Sequence, residues 1–174
     1  MDNNIVVIVN GKPRSGKDTF SKFIVKYCEE KDLSVDVWST IDFEKDLLYE
    51  ITRRDYDPNS ELDRNFLSEL KQLVNHYYNT TFRDFTNILE FFDGIHIVHS
   101  REWEEIKDFK SYCKENNIKC ITVFIESNRQ KEFYNYSDMF CDNEKKLYDI
   151  IIQNNGTLEE LEENAKQFCD ERLF

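Results

Sequence analysis

GKPRSGKDT, residues 11–19, follows the apolar run IVVIV of residues 5–9. The G-x-x-x-x-G-K spacing is typical of a phosphate-binding loop of the Walker A type, and the strand before it and the helical spacing after it are the context that this motif requires. Gly11 and Gly16 allow successive N–H groups to turn inward, and the positive end of the following helix favours an anion at the same place. The stretch therefore predicts a nucleotide phosphate site.

This loop supplies the predicted donor contacts, with Lys17 bringing a mobile positive charge to the terminal phosphates. We expect the donor to contact nine consecutive residues: Gly11, Lys12, Pro13, Arg14, Ser15, Gly16, Lys17, Asp18 and Thr19. Asp18 and Thr19 are also the candidates to organise Mg²⁺, directly or through water. The residue after Lys17 is an aspartate rather than a serine or threonine, so a direct hydroxyl ligand is missing at that position.

Composition narrows the class of protein. The chain has 174 residues, a length typical of one domain, and 35 acidic against 23 basic residues give a net charge of −12. Such an acidic surface disfavours broad contact with nucleic acid. The sequence has no membrane-length apolar run and no signal-like start, so we expect a cytoplasmic protein. Its five cysteines form no C-x-x-C pair, so we expect reduced thiols. We expect either a monomer or a homodimer.

Strand and helix patterns alternate along the rest of the chain. Apolar runs predict strands at residues 5–9, 34–39, 95–99, 118–125 and 148–152, with helical spacing between them. The helix after residue 60 is predicted to bury five positions: Phe66, Leu70, Leu73, Val74 and Tyr77. Ser100 and Thr157 are the predicted caps of the last two helices. The pattern predicts an α/β fold with a five-stranded parallel sheet flanked by helices on both faces, and ligands at the carboxyl ends of its strands.

Three further segments carry a resemblance to a known family. Together with the loop, they resemble P-loop nucleoside and deoxynucleoside monophosphate kinases of the adenylate kinase-like fold. The segments are GKPRSGKDTFSKFI (residues 11–24), the helical insertion between the second and third strands, HSREWEEI (residues 99–106) and YDIIIQNNGTLEELEENAKQF (residues 148–168). The resemblance implies one P-loop domain over residues 1–174, a helical acceptor-binding insertion at about 40–93 and a short lid at about 127–142.

The resemblance also implies roles for individual residues. An arginine just after the third strand grips the acceptor phosphate in this family, and Arg101 occupies that position, while Asp42 and Arg64 lie in or beside the acceptor arm. Arg129 falls in the lid, where we expect it to neutralise developing charge, and Lys131 is the other cation of that segment. The family places an aspartate at the end of the third strand, whereas this chain has His99 or Ser100 there, with Glu102 nearby.

The predicted activity is transfer of the terminal phosphoryl group of MgATP to a nucleoside or deoxynucleoside monophosphate. Lys17, Arg101 and Arg129 are the predicted catalytic residues, and ATP and Mg²⁺ the expected cofactors. One alternative is a kinase for another small phosphorylated metabolite. Another is a nucleotide-binding regulatory protein with little catalysis, which the absent strand-end aspartate and the sparse lid cations favour.

Overall fold

The structure is a computed structural model that describes residues 4–129 and 145–174. The strands are β1 (Ile5–Asn10), β2 (Val35–Ser39), β3 (Ile95–His99), β4 (Lys119–Glu126) and β5 (Ile150–Gln153). The helices are α1 (Lys17–Glu29), α2 (Asp42–Thr52), α3 (Glu61–Tyr78), α4 (Thr80–Phe91), α5 (Trp103–Glu115) and α6 (Leu158–Arg172), and a 3₁₀ turn spans Lys145–Leu147. No helix among the described residues is both long enough and apolar enough to span a bilayer.

The five strands form one parallel sheet in the order β2-β3-β1-β4-β5. Strand β1 lies at its centre, where Val9 is opposite His99 of β3 and Val123 of β4. Because all strands run the same way, the ends of β1, β2 and β3 meet at one edge of the sheet. The predicted fold class is confirmed, and the loop predicted to bind phosphate lies at this edge.

Side-chain alternation along β1 divides the core into two layers. Val7 and Val9 face the layer that α1 and α6 cover, and Val6 and Ile8 face the layer of α4 and α5; all four are fully buried. A sheet apolar on both faces requires helices on both sides, which explains the near-continuous apolar strands of the sequence. The core therefore fixes β1, and with it the start of the loop at Gly11.

Helix α3 buries a different face from the one predicted. Leu73 is 57% and Tyr77 69% exposed, whereas the buried residues are Asp63, Arg64, Leu67 and Lys71. The prediction assumed that the apolar stripe faces the core. It was wrong because the inner side of α3 faces a polar cavity at the edge of the sheet.

Two helix starts were also predicted. Thr157 caps α6 in a full capping box with Glu160, as expected. Helix α5, by contrast, begins after Glu102, and the Ser100 hydroxyl donates a hydrogen bond to Glu105 instead of capping the helix. The predicted lid at about 127–142 lies outside the described residues from position 130 onward, as does Lys131.

Candidate functional site

The loop between β1 and α1 has the backbone that its two glycines make possible. Gly16 has a left-handed φ of 97°, and a Cβ there would lie 2.2 Å from Nδ2 of Asn154. A Cβ on Gly11 would lie 2.6 Å from the carbonyl oxygen of Ile125 in β4. Both positions therefore exclude larger residues, since each closes the loop tightly against the sheet.

Two asparagines hold this loop in place. Asn10 accepts a hydrogen bond from the Gly11 N–H through Oδ1 at 2.6 Å. Asn154, which directly follows β5, donates through Nδ2 to the carbonyl of Ser15 at 2.8 Å. Sequence reasoning missed Asn154, because nothing in the pattern shows that the end of β5 reaches the loop. The two contacts orient carbonyls and N–H groups before any ligand binds.

The start of α1 is prepared for an anion. Its N-cap residue is Gly16, and no side chain caps the helix. The Ser15 hydroxyl is buried and has no hydrogen-bond partner within residues 4–129 and 145–174. The Lys17 side chain is only 12% exposed. An uncapped helix N-terminus, an unsatisfied hydroxyl and a sheltered ammonium together fit a phosphate group.

His99 lies at the end of β3, beside the first turn of α1. Its Nε2 is 2.8 Å from the Ser21 hydroxyl, and its Nδ1 is 3.4 Å from the Asp18 carboxylate. Burial lowers the pKa of His99 to about 4, although the charge of Asp18 opposes that shift. The ring is therefore neutral at pH 7. The strand end thus holds an imidazole that contacts a carboxylate on α1.

A cavity of about 350 Å³ lies between the loop, the end of β3 and helix α3. Among the described residues, six cationic side chains line it: Arg14, Lys17, Lys45, Arg64, Lys71 and Arg101. The acidic residues in the lining are Asp18 and Glu102. In a chain with a net charge of −12, this concentration of positive charge favours an anionic ligand.

Lys71 is the most deeply placed of these cations that sequence reasoning overlooked. It is 3% exposed and donates to the Thr40 hydroxyl at 2.9 Å and to the Glu105 carboxylate at 2.8 Å. Burial raises the pKa of Glu105 to about 7, while the charge of Lys71 opposes that rise. A lysine in a helix is usually exposed to solvent, so sequence reasoning did not single out Lys71. What distinguishes it is that α3 buries a polar face instead of its apolar stripe.

The structure brings six of the thirteen predicted site residues to this cavity. Pro13, Arg14, Lys17, Asp18, Arg64 and Arg101 all line it. Arg64 is 7% exposed, and Arg14 donates to Asn59 in the loop between α2 and α3 at 2.8 Å. Thr19 follows Asp18 on α1 and is not part of the lining.

Asp42 and Arg129 have other contacts. The Asp42 carboxylate accepts from the Ser39 N–H at 2.7 Å and from Lys45 at 2.6 Å, and it faces a second cavity on the α4 side of β2. Arg129 donates to the carbonyls of Asn155 and Gly156. These contacts tie Arg129 to the β5–α6 connection.

Comparison with known proteins identifies the fold. No protein-family model matches the chain, and no curated protein matches its sequence. A crystal structure from Chloroflexus aurantiacus, provisionally described as a kinase, matches with a TM-score of 0.58 and 11% identity over 99% of this chain and 100% of that one. The Mycobacterium tuberculosis APS kinase CysC in complex with AMPPNP and APS matches with a TM-score of 0.50 and 14% identity over 98% and 99%.

The chain shares the α/β fold of these two structures. In this fold residues 11–16 form the connection between β1 and α1 where the sequence predicts the phosphate loop, and the cationic cavity adjoins it at the carboxyl edge of the sheet. At identities of 11–14%, these structures show a common fold and do not identify a substrate of this chain.

Proposed function

We propose that the protein is an ATP-dependent phosphotransferase whose acceptor is a small phosphorylated molecule, with a nucleoside or deoxynucleoside monophosphate as the preferred class. The observation that supports this most is the cavity lined by six cations directly beside the phosphate loop. A donor polyphosphate on the loop and an acceptor phosphate in the cavity would both meet positive charge.

The donor would be held by the loop and the start of α1. N–H groups of the uncapped first turn and the Ser15 hydroxyl would bind the phosphates, and the Lys17 ammonium would contact the terminal one. Asp18 is the residue that fits Mg²⁺, since that ion keeps several waters and needs one or two carboxylates besides the phosphates. When bound, Mg²⁺ would neutralise charge on the transferring phosphoryl group.

The acceptor would be positioned by Arg64 of α3 and by Arg101, which follows β3; both side chains line the cavity. An oxygen of the acceptor phosphate would attack the terminal phosphorus of ATP, a new P–O bond would form, and the bond to the bridging oxygen would break to release ADP. A phosphate oxygen is already anionic at neutral pH, so this step needs no general base. The predominantly cationic lining supports such an acceptor over a neutral hydroxyl compound.

The test is acceptor-dependent release of ADP from MgATP by the full chain, with purine and pyrimidine ribo- and deoxyribonucleoside monophosphates and a panel of phosphorylated sugars and alcohols. Turnover with a nucleoside monophosphate would support the preferred class. Turnover confined to another phosphorylated compound would support the metabolite alternative and remove the nucleotide class.

His99 supports a second candidate, a nucleotide-binding regulatory protein. The neutral imidazole at the strand end offers no negative charge to hold hydrated Mg²⁺. Tight MgATP binding without turnover of any acceptor would favour this candidate.

A further inference from the structure

A second cavity, of about 330 Å³, lies on the other side of the β2–α2 turn from the cationic one. It lies between the end of β2, the first turn of α2 and the start of α4, and it shares Ser39 and Thr40 with the first cavity. Its volume is within the range of small-molecule sites. Its charge is opposite to that of its neighbour, because Asp42, Glu44, Asp46 and Asp84 line it.

Glu44 is the unusual member of this set. This residue is only 1% exposed, and neither oxygen of its carboxylate has a hydrogen-bond partner among the residues that the structure describes. Burial raises the pKa of Glu44, and the charge of Lys71 opposes that shift. A buried carboxyl group with two unsatisfied oxygens is costly, so its presence calls for a partner.

Three of the neighbouring polar side chains are already engaged elsewhere. Asp42 bonds to the Ser39 N–H and to Lys45. Both Thr80 and Thr81 donate their hydroxyls to Asn75. Glu44 therefore faces the cavity with its acceptor capacity unused.

The form of the cavity limits the chemistry of a ligand. Two unsatisfied oxygens on one carboxylate match a planar fork of two N–H donors, which bonds to both at once. Trp38, Phe43 and Ile88 supply apolar lining on which such a flat group can pack. Asp46 and Asp84 favour a donor-rich or cationic group over one that carries carbonyl oxygens.

We infer that this second cavity binds a planar group with two adjacent N–H donors, of the guanidinium or amidinium type or the N1–H and 2-amino edge of guanine, and that Glu44 accepts both hydrogen bonds. The two kinds of ligand differ in whether the planar group belongs to the phosphorylated acceptor. A guanine edge would belong to an acceptor whose phosphate lies in the neighbouring cationic cavity, so that source rests on the proposed function. A free guanidinium or amidinium compound would occupy the cavity independently of the acceptor.

The experiment is calorimetric titration of the full chain with three probes: benzamidine, guanosine monophosphate and thymidine monophosphate. Thymine presents one N–H between two carbonyl oxygens, which a carboxylate repels, so it controls for binding through the phosphate alone. The test variant is Glu44→Gln, and the matched control is Asp46→Asn on the exposed rim of the same cavity.

We expect Glu44→Gln to weaken the affinity for benzamidine at least about tenfold, since it replaces one of two charged acceptors with a donor. Asp46→Asn should change that affinity by less than about twofold. The melting temperature of Glu44→Gln should equal or exceed that of the wild type, because no hydrogen bond is lost. If the source is guanine, guanosine monophosphate should bind more tightly than thymidine monophosphate and compete with benzamidine. If the source is a free compound, benzamidine should bind equally with either nucleotide present.

Benzamidine affinity that is the same in wild type and Glu44→Gln, or no binding to either, would overturn the inference. The proposed function fails separately. Turnover of monophosphates together with benzamidine affinity that Glu44→Gln leaves unchanged would sink the second site and leave the kinase intact, whereas Glu44-dependent benzamidine binding without turnover of any acceptor would do the reverse.

Discussion

His99 and Asp18 meet across the edge of the sheet, with the imidazole Nδ1 3.4 Å from the carboxylate. Since a carboxylate only accepts and the Ser21 hydroxyl can donate to Nε2, this arrangement favours the tautomer with the ring proton on Nδ1. The Asp18 side chain that the ring contacts is 70% exposed. An acidic group therefore lies next to the predicted phosphate loop although the strand itself ends in a neutral side chain.

The first prediction concerns this carboxylate. Asp18→Asn should raise the Mg²⁺ concentration needed for half-maximal ATP binding by about tenfold, because a metal-binding charge is lost. Without Mg²⁺ the affinity for ATP should stay the same or increase, since a negative charge near the phosphates is gone. Calorimetric titration with ATP over a series of Mg²⁺ concentrations measures both. Glu29→Gln, at the far end of α1, is the control, and an unchanged Mg²⁺ requirement in Asp18→Asn would take Asp18 out of the metal site.

The second prediction tests the phosphate loop. Lys17→Ala should greatly weaken MgATP binding and leave the melting temperature of the free protein nearly unchanged, because it removes a charge from a preformed anion site rather than a core contact. Titration with MgATP is the measurement. Lys22→Ala, an exposed lysine on the same helix, should bind normally. Equal affinity in the two variants would contradict the loop assignment.

The third prediction separates donor from acceptor. Arg101→Lys should reduce acceptor turnover by about tenfold or more, because a lysine cannot reproduce a bidentate contact worth roughly 1.5–3 kcal/mol to a phosphate. Affinity for MgATP should hardly change. Arg83→Lys, which changes an exposed side chain on α4, is the control. A lower melting temperature with unchanged turnover per folded molecule would instead assign Arg101 a structural role.

The fourth prediction concerns stability and pH. His96 is 1% exposed, and neither ring nitrogen has a hydrogen-bond partner in the structure. Burial lowers its pKa below the usual 6.5. Below about pH 6.5, His96 therefore binds a proton in the unfolded chain but not in the folded chain. Its contribution to the free energy of unfolding is fully present above pH 6.5 and declines as the pH falls below that value. Denaturant unfolding of the wild type and His96→Leu between pH 7.5 and 5 should show a smaller acid loss in the variant, and identical pH dependence would contradict this assignment.

The sheet and the loop could be predicted from sequence because local pattern decides both. Apolar runs mark strands that are covered on two faces, and the positions of Gly11 and Gly16 fix the turn between β1 and α1. The lining of the two cavities could not be predicted in the same way. Lys71 and Glu105 are far apart in sequence and meet only in the folded chain, and the roles of Asn154 and Glu44 depend on what tertiary packing places beside them.

The inner face of α3 bears on how the molecule moves. Asp63, Arg64 and Lys71 are buried there, and Leu67 is the buried apolar residue of the helix. Apolar burial supplies most of the free energy that resists local unfolding, so α3 should open at a lower cost than the central strands, and its amide protons should exchange sooner. An anion that bonds to Arg64 and Lys71 of α3 would raise the free-energy cost of opening this helix, but only while the anion is bound. Helix α3, which we propose positions the acceptor, would then owe much of its rigidity to the acceptor itself.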